Sequence, residues 1–178
     1  MLAKTGSRDT FRVVKIRTRS RYAVRALLEL ALHYGEGPLM MQSIADKQGV
    51  SRKYLDAIFA SLKSSGIVRS RRGAGGGHML TRDPATVTLD EVFRALDGPT
   101  ALVDCVADAD ICERSSRCVT RTVWAKVGDA IDVALHGITL ADLMREHKEL
   151  EAGACEHTRA YLDDDDPNDL EAAIDLMT

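Results

Sequence analysis

Apolar residues recur at helical spacing from Thr18 onward. In SRYAVRALLELALHY, Tyr22, Ala26, Leu30 and Tyr34 fall four apart, with Ala23, Leu27 and Ala31 beside them. A stripe of this width predicts an amphipathic helix buried along one face, with Arg19, Arg21 and Arg25 around its first turns. Gly35, Gly37 and Pro38 end it. The short segment MQSIADKQ then turns Ile44 and Ala45 inward and closes at Gly49, a C-cap. A third helix follows from an N-cap at Ser51, with Leu55, Ile58, Phe59 and Leu62 on its buried face and Gly66 as its stop. Two helices joined by a few residues around a glycine form a helix-turn-helix pattern, which many helical hairpins share.

The period then changes. IVRSRRGAGGGHMLTRD alternates apolar and polar residues, breaks at Gly73, Gly75, Gly76 and Gly77, and resumes at Met79 and Leu80. That predicts a β-hairpin whose tip carries Arg69, Arg71 and Arg72. A helix-turn-helix followed by a basic hairpin is a winged helix. A phosphate-cradling loop is the rival reading of the glycines, but G-A-G-G-G-H lacks the Lys-Ser/Thr of a P-loop and no βαβ unit surrounds it.

Asp83-Pro84 marks a boundary, and Thr88 to Glu91 forms a capping-box pattern ahead of Val92, Phe93 and Leu96. Residues 100–118 lose periodicity. A long helix returns from Val119 to His136, striped by Val123, Trp124, Val127, Ile131 and Leu135, and Thr139 caps a further turn, LADLMREH. Such a stripe needs a cover, either its own chain or another copy, and a two-fold symmetric DNA site favours the second copy. The fold class is mainly α, a winged helix-turn-helix with a small hairpin and a long C-terminal dimerisation helix. Its divisions are 1–13, a disordered arm or start-site extension; 14–83, the DNA-binding domain; 84–118, a linker helix and cysteine loop; 119–152, the dimerisation helices; and 153–178, an acidic tail. In that tail Leu170, Ile174 and Leu176 would suit a short helix.

Charge sharpens this division. Residues 1–82 hold 16 Lys/Arg against 5 Asp/Glu, while residues 83–178 hold 8 against 22, within a net charge of −3. A basic front half suits a polyanion, although two solvated faces of opposite sign would give the same tally. Charged residues make up 29% and hydrophobic ones 45% of the chain, a globular balance. No stretch nears the roughly 20 apolar residues of a membrane helix, and the N-terminus lacks the apolar core of a secretory signal. The expected location is cytoplasmic.

Cys105, Cys112 and Cys118 lie in D-C-V-A-D-A-D-I-C-E-R-S-S-R-C, a C-x6-C-x5-C spacing on one irregular loop. Thiolates this close can meet on one metal or cluster without a large loop-closure cost. The spacing leaves three readings open: a cluster or metal, redox-active thiols, or unrelated cysteines. No C-x-x-C pair of the zinc-ribbon or dithiol type is present, which weighs against a cysteine-based redox enzyme. Cys155, two residues before His157, reads as incidental.

Taken together, KIRTRSRYAVRALLELA, VSRKYLDAIFASLKSSGIV, RRGAGGGHML, the cysteine loop and GITLADL resemble the Rrf2 family of winged-helix regulators, most of all its iron–sulfur-sensing type typified by IscR and NsrR. The resemblance covers roughly residues 14–147. It implies a homodimeric bacterial transcription regulator, not an enzyme, that binds double-stranded DNA at a pseudo-palindromic operator. It further implies a [2Fe–2S] or [4Fe–4S] cluster on Cys105, Cys112 and Cys118 whose state sets DNA affinity or site choice. Two positions depart from the pattern. Arg121 stands where the IscR type has a histidine, and Arg21 where the NsrR type has a carboxylate; a guanidinium cannot ligate iron. The fourth ligand is therefore open among Asp104, Asp108, Asp110, Glu113, Cys155, His157 and a non-protein group. The alternative is the same scaffold without a cluster, using zinc or thiol oxidation, or a cluster-free repressor. A winged helix that binds protein instead of DNA is disfavoured by the basic hairpin.

By position, the resemblance sends Ser51, Arg52, Lys53, Tyr54 and Asp56 into the major groove and Arg72, with Arg71 beside it, toward the adjacent minor groove. Lys donates to guanine O6/N7, a carboxylate accepts from cytosine N4, and Arg suits the negative potential of a narrow minor groove. Arg17, Arg19 and Lys63 are expected on phosphates, which position the protein without specifying sequence.

Overall fold

The computed structural model describes residues 16–98 and 100–163. The expected N-terminal arm and the short helix around Leu170 lie outside the described residues. The chain opens with α1 (Thr18–Leu32), which buries Ala23, Ala26, Leu27, Leu30 and Ala31 along the anticipated stripe. Next come α2 (Met41–Gln48), closed by Gly49 in the left-handed conformation at φ 62°, and α3 (Arg52–Ser64). The Ser51 hydroxyl accepts the Tyr54 N–H at 3.3 Å, the N-cap that starts α3. The hairpin strands β1 (Val68–Arg71) and β2 (Gly77–Leu80) are antiparallel, with Val68 opposite Leu80 and Arg71 opposite Gly77.

The wing is pinned from behind. Leu39 N–H donates to the His78 carbonyl at 2.8 Å, and His78 N–H returns to Leu39 at 2.7 Å. This approach requires glycine next door: a Cβ on Gly77 would lie 2.2 Å from the Leu39 carbonyl oxygen. A fourth helix, α4 (Leu89–Asp97), packs against both α1 and α3. A single core results, centred on Leu27, Ile44, Leu55, Ile58, Phe59 and Leu62 and extended by Val92 and Leu96. Only half of the expected capping box forms at α4. Thr88 Oγ1 accepts the Glu91 N–H at 3.4 Å, but the Glu91 carboxylate turns to Arg82 instead of the Thr88 backbone.

Beyond α4 the chain changes character. The cysteine loop contains the short α5 (Asp104–Ala107) and isolated 3-10 turns, and no residue of those pieces is buried. It leads into α6 (Val119–His136), where Gly128 alone is buried; a Cβ there would meet the Thr100 carbonyl oxygen at 2.9 Å. The final helix, α7, runs Leu140–Asp163, well past Gly153 where the sequence suggested a loose tail. Its start is held to the winged helix by two backbone bonds, Leu89 N–H to Ile138 and Leu140 N–H to Val87. At the same point Thr139 Oγ1 accepts the Asp142 N–H at 3.2 Å, and the Asp142 carboxylate accepts the Thr139 N–H at 2.9 Å. With the Thr139 hydroxyl and Arg145 also donating, the Asp142 carboxyl is held down to about 2. No helix among the described residues is long and apolar enough to cross a membrane.

Candidate nucleic-acid interface and cysteine loop

Because Leu55, Ile58, Phe59 and Leu62 bind α3 to the core, its opposite face and first turn are left to solvent. Ser51, Arg52, Lys53 and Asp56 are all exposed there. Arg52 and Asp56, one turn apart, approach to 3.8 Å. At that distance and exposure the pair contributes little and leaves both groups open to a ligand. Tyr54 differs from its neighbours. It is half-buried, and its ring meets Tyr22 edge-on at 6.0 Å, while the Arg25 guanidinium lies 5.5 Å over the Tyr22 ring. Arg25 in turn donates to Gln48 at 2.7 Å, so Tyr54 is braced through α1 and α2.

The wing arginines divide. Arg72 is exposed at the turn, and Arg71 donates to the Gly75 carbonyl at 3.1 Å, bracing the glycine turn from within. Arg69 is not at the tip. It stands opposite Met79 and lines a cleft of about 320 Å³ with Leu30, His33 and Tyr34, on the α1 side of the hairpin. Lys53, Lys63, Arg69 and Arg72 make no ion pair among the described residues.

The two α1 arginines expected on phosphates differ in how far the fold engages them. Arg19 is half-buried and reaches across the fold, Nη2 donating to Ser61 Oγ at 2.6 Å and Nη1 to the Leu96 carbonyl at 3.4 Å. Its periodic place on α1 signalled a helix flank, but the partners come from α3 and α4, which sequence distance conceals. Arg17 is exposed and approaches Asp97 at 3.5 Å, a surface pair that leaves it open to a phosphate. His78 was not singled out by the sequence, though strand alternation sets it opposite Ser70 in β2. Its ring packs edge-on against Phe59 at 4.9 Å, and its Nδ1 is buried with no hydrogen-bond partner. Burial, reinforced by Lys63, holds the imidazole below its ordinary 6.5.

Cys105, Cys112 and Cys118 are all free thiols, each half-exposed. Cys118 is the N-cap residue of α6, and its Sγ lies 3.1 Å from Thr120 Oγ1. The Thr120 hydroxyl and then the Arg121 N–H draw its thiol below the usual range. Arg121 ties the loop to the helix, its Nε donating to the Cys105 carbonyl at 2.6 Å. The donor chemistry therefore fits a thiolate-bound metal or cluster. The arrangement does not yet: among the described residues no three His, Cys, Asp or Glu side chains converge on a common point. Asp104, Asp108, Asp110 and Glu113 sit on the same loop, and the side chains of Cys155 and His157 fall outside those described.

Relatives support the same architecture. A family profile described as an iron-dependent transcriptional regulator, Rrf2, matches residues 16–146. The Rrf2 protein of Nitratidesulfovibrio vulgaris is 37% identical over 142 residues, covering 80% of this chain and 95% of that relative. The regulator IscR of Vibrio campbellii is 36% identical, covering 78% of this chain and 82% of the relative. Among solved structures, IscR of T. potens superposes with a TM-score of 0.64 at 36% identity, over 77% of this chain and 90% of that one. CymR, the global cysteine regulator of B. subtilis, gives 0.62 at 34% identity, over 75% of this chain and 98% of that one. With the winged helix, the wing and the thiol loop all in place, the chain belongs to the Rrf2 family of transcriptional regulators.

Proposed function

We propose that this regulator binds a pseudo-palindromic operator in double-stranded DNA as a homodimer, and that an iron–sulfur cluster on Cys105, Cys112 and Cys118 sets its affinity or site choice. The observation that carries this reading is the gathering of three free thiols on the one loop that leads into α6, a helix on which Val119, Val123, Trp124, Val127 and Val133 are exposed. Thiolates are the ligands both [2Fe–2S] and [4Fe–4S] clusters take. The loop would draw together to ligate, and its short turns and lack of buried residues leave it free of core packing that would oppose this. Arg121 is engaged with the Cys105 carbonyl and Arg21 is exposed, so the fourth ligand comes from elsewhere.

On the DNA side, Ser51, Arg52, Lys53, Tyr54 and Asp56 present the first turn of α3 to the major groove, Tyr54 by its outer edge. Arg72 enters the minor groove from the wing turn, and Arg71 holds that turn in shape. Val119, Val123, Trp124 and Val127 provide the dimer seam, being 79%, 49%, 43% and 40% exposed. A second reading keeps the scaffold and uses the thiols themselves. It is favoured by the unconverged cysteines and the lowered Cys118 thiol, and a structural relative, CymR of Staphylococcus aureus, is known in an oxidized form.

The visible spectrum and the iron and acid-labile sulfide content of protein purified without oxygen separate the two. The cluster reading expects a broad brown absorbance with both iron and sulfide, lost in Cys105→Ala, Cys112→Ala and Cys118→Ala. A colourless protein that binds DNA only when its thiols are reduced establishes the second reading instead.

A further inference from the structure

Outside the interface and the cysteine loop, a polar joint links α4 and α6. Arg94 Nε donates to Asp90 on its own helix at 2.7 Å, and its Nη2 donates to Asp132 Oδ2 on α6 at 3.2 Å. The other Asp132 oxygen, Oδ1, is buried and has no hydrogen-bond partner among the described residues. An unpaired buried carboxylate oxygen is costly, and a guanidinium fork can satisfy both oxygens of one carboxylate. Arg94 is instead shared between two acids. A shift of α6 that let the guanidinium fork onto both Asp132 oxygens would satisfy the unpaired one.

The far end of α4 is tied just as firmly to the DNA-binding helices. The buried Ser20 hydroxyl of α1 donates to Asp97, and the Leu96 carbonyl accepts from Arg19, whose other nitrogen holds Ser61 on α3. Meanwhile α6 begins at Cys118. A polar chain thus runs from the helix that the thiol loop feeds, through α4, to the recognition helix.

We propose that Arg94 is a positioning residue that couples the cysteine loop to α3: movement of α6 shifts Asp132 against Arg94, and α4 carries that shift to Ser61 through Arg19. The inference rests on the reading that the state of the loop regulates DNA binding. Coupling through a packed two-state joint is ordinarily worth about 5- to 150-fold in affinity.

Asp132→Asn tests it with almost no change in shape. Two readouts are needed, each on the full chain. The first is the ratio of operator affinities between protein loaded with iron and sulfide and the same protein stripped by chelator. Asp132→Asn, and Ser61→Ala at the opposite end of the chain, are expected to bring that ratio at least ~5-fold closer to one with the melting temperature kept. The second is hydrogen exchange of stripped protein, where Asp132→Asn is expected to speed exchange several-fold in α4 and around Ser61. Exchange changes confined to α6, or a variant ratio equal to the wild-type one, would overturn the proposal. A wild-type ratio of one would be a failure of the regulatory reading alone, and the exchange measurement still decides the joint.

Discussion

The winged helix and the arm that follows it are built on opposite terms. Between α1 and α4 every helix contributes buried apolar side chains to one core, and Leu27, Leu55, Phe59 and Leu62 are fully enclosed. Along α6, eighteen residues long, only Gly128 is buried, and Val119, Trp124 and Val133 stand 79%, 43% and 73% exposed. The first region is complete within one chain. The second packs on α4 and touches the core through Leu135, but leaves the apolar residues of its first half largely exposed. Its loop likewise carries three ligand-type side chains that no protein group engages in common. In the proposed reading the first region binds DNA, and a second chain and a cluster complete the other.

Matched truncations break this comparison most sharply. Phe59→Ala empties the centre of the winged-helix core and is expected to cost about 3–5 kcal/mol, seen as a large fall in melting temperature. Trp124→Ala removes a side chain of greater size from α6, yet it is expected to leave unfolding of the dilute monomer within about 0.5 kcal/mol. Its effect should appear in sedimentation as a weakened dimer. Equal destabilisation by the two would show that Trp124 is held by its own chain as firmly as Phe59 is.

Within the first region, the interface divides into positioning and reading. Arg72→Ala is expected to weaken operator binding by about tenfold and to lower the slope of log affinity against log salt by about 1, measured by titration at several salt concentrations. Asp56→Ala should instead relax base preference at one position per half-site, worth about 1–3 kcal/mol between the right and wrong base. A uniform loss over all sequences would place Asp56 with the positioning residues. Removing the N-cap by Ser51→Ala should cost about 1 kcal/mol of stability, read from denaturant unfolding.

The smallest effect concerns pH. His78 is held below 6.5 in the folded protein, so the unfolded chain binds the proton more readily. The stability that its neutral form allows is full above pH 6.5 and is lost as the pH falls from 6.5 toward the lower folded value. His78→Phe keeps the aromatic contact with Phe59 and should flatten the melting temperature over that range. An unchanged slope would assign the dependence to other groups.

Much of this was legible in the sequence, for identifiable reasons. Helical and strand periods are local, so α1, the turn at Gly49, the cap at Ser51 and the wing could all be placed from spacing. The α6 stripe also followed from its pattern, though the pattern did not show that Leu135 packs on the core while Val123, Trp124 and Val127 stay exposed. Contacts made by long polar side chains across the fold did not. Arg19 and Arg94 carry helix-flank positions whose partners lie 77 and 38 residues away, and nothing local distinguishes them from solvated arginines. The length of α7 was hidden by Gly153, a residue that costs a helix about 1 kcal/mol but does not end it amid alanines and glutamates. The cysteine spacing showed that the thiols share a loop; whether they converge depends on a closure that spacing does not encode.

The central claim is that the state of the thiol loop changes what the winged helix does. Its most direct test is operator affinity of the wild-type chain at one fixed salt concentration, first loaded with iron and sulfide without oxygen and then stripped by chelator with its thiols kept reduced. The account predicts affinities that differ by at least ~5-fold between the two states, in the range of ordinary allosteric coupling. Identical affinities, from protein shown to hold and then lose its iron, would contradict it.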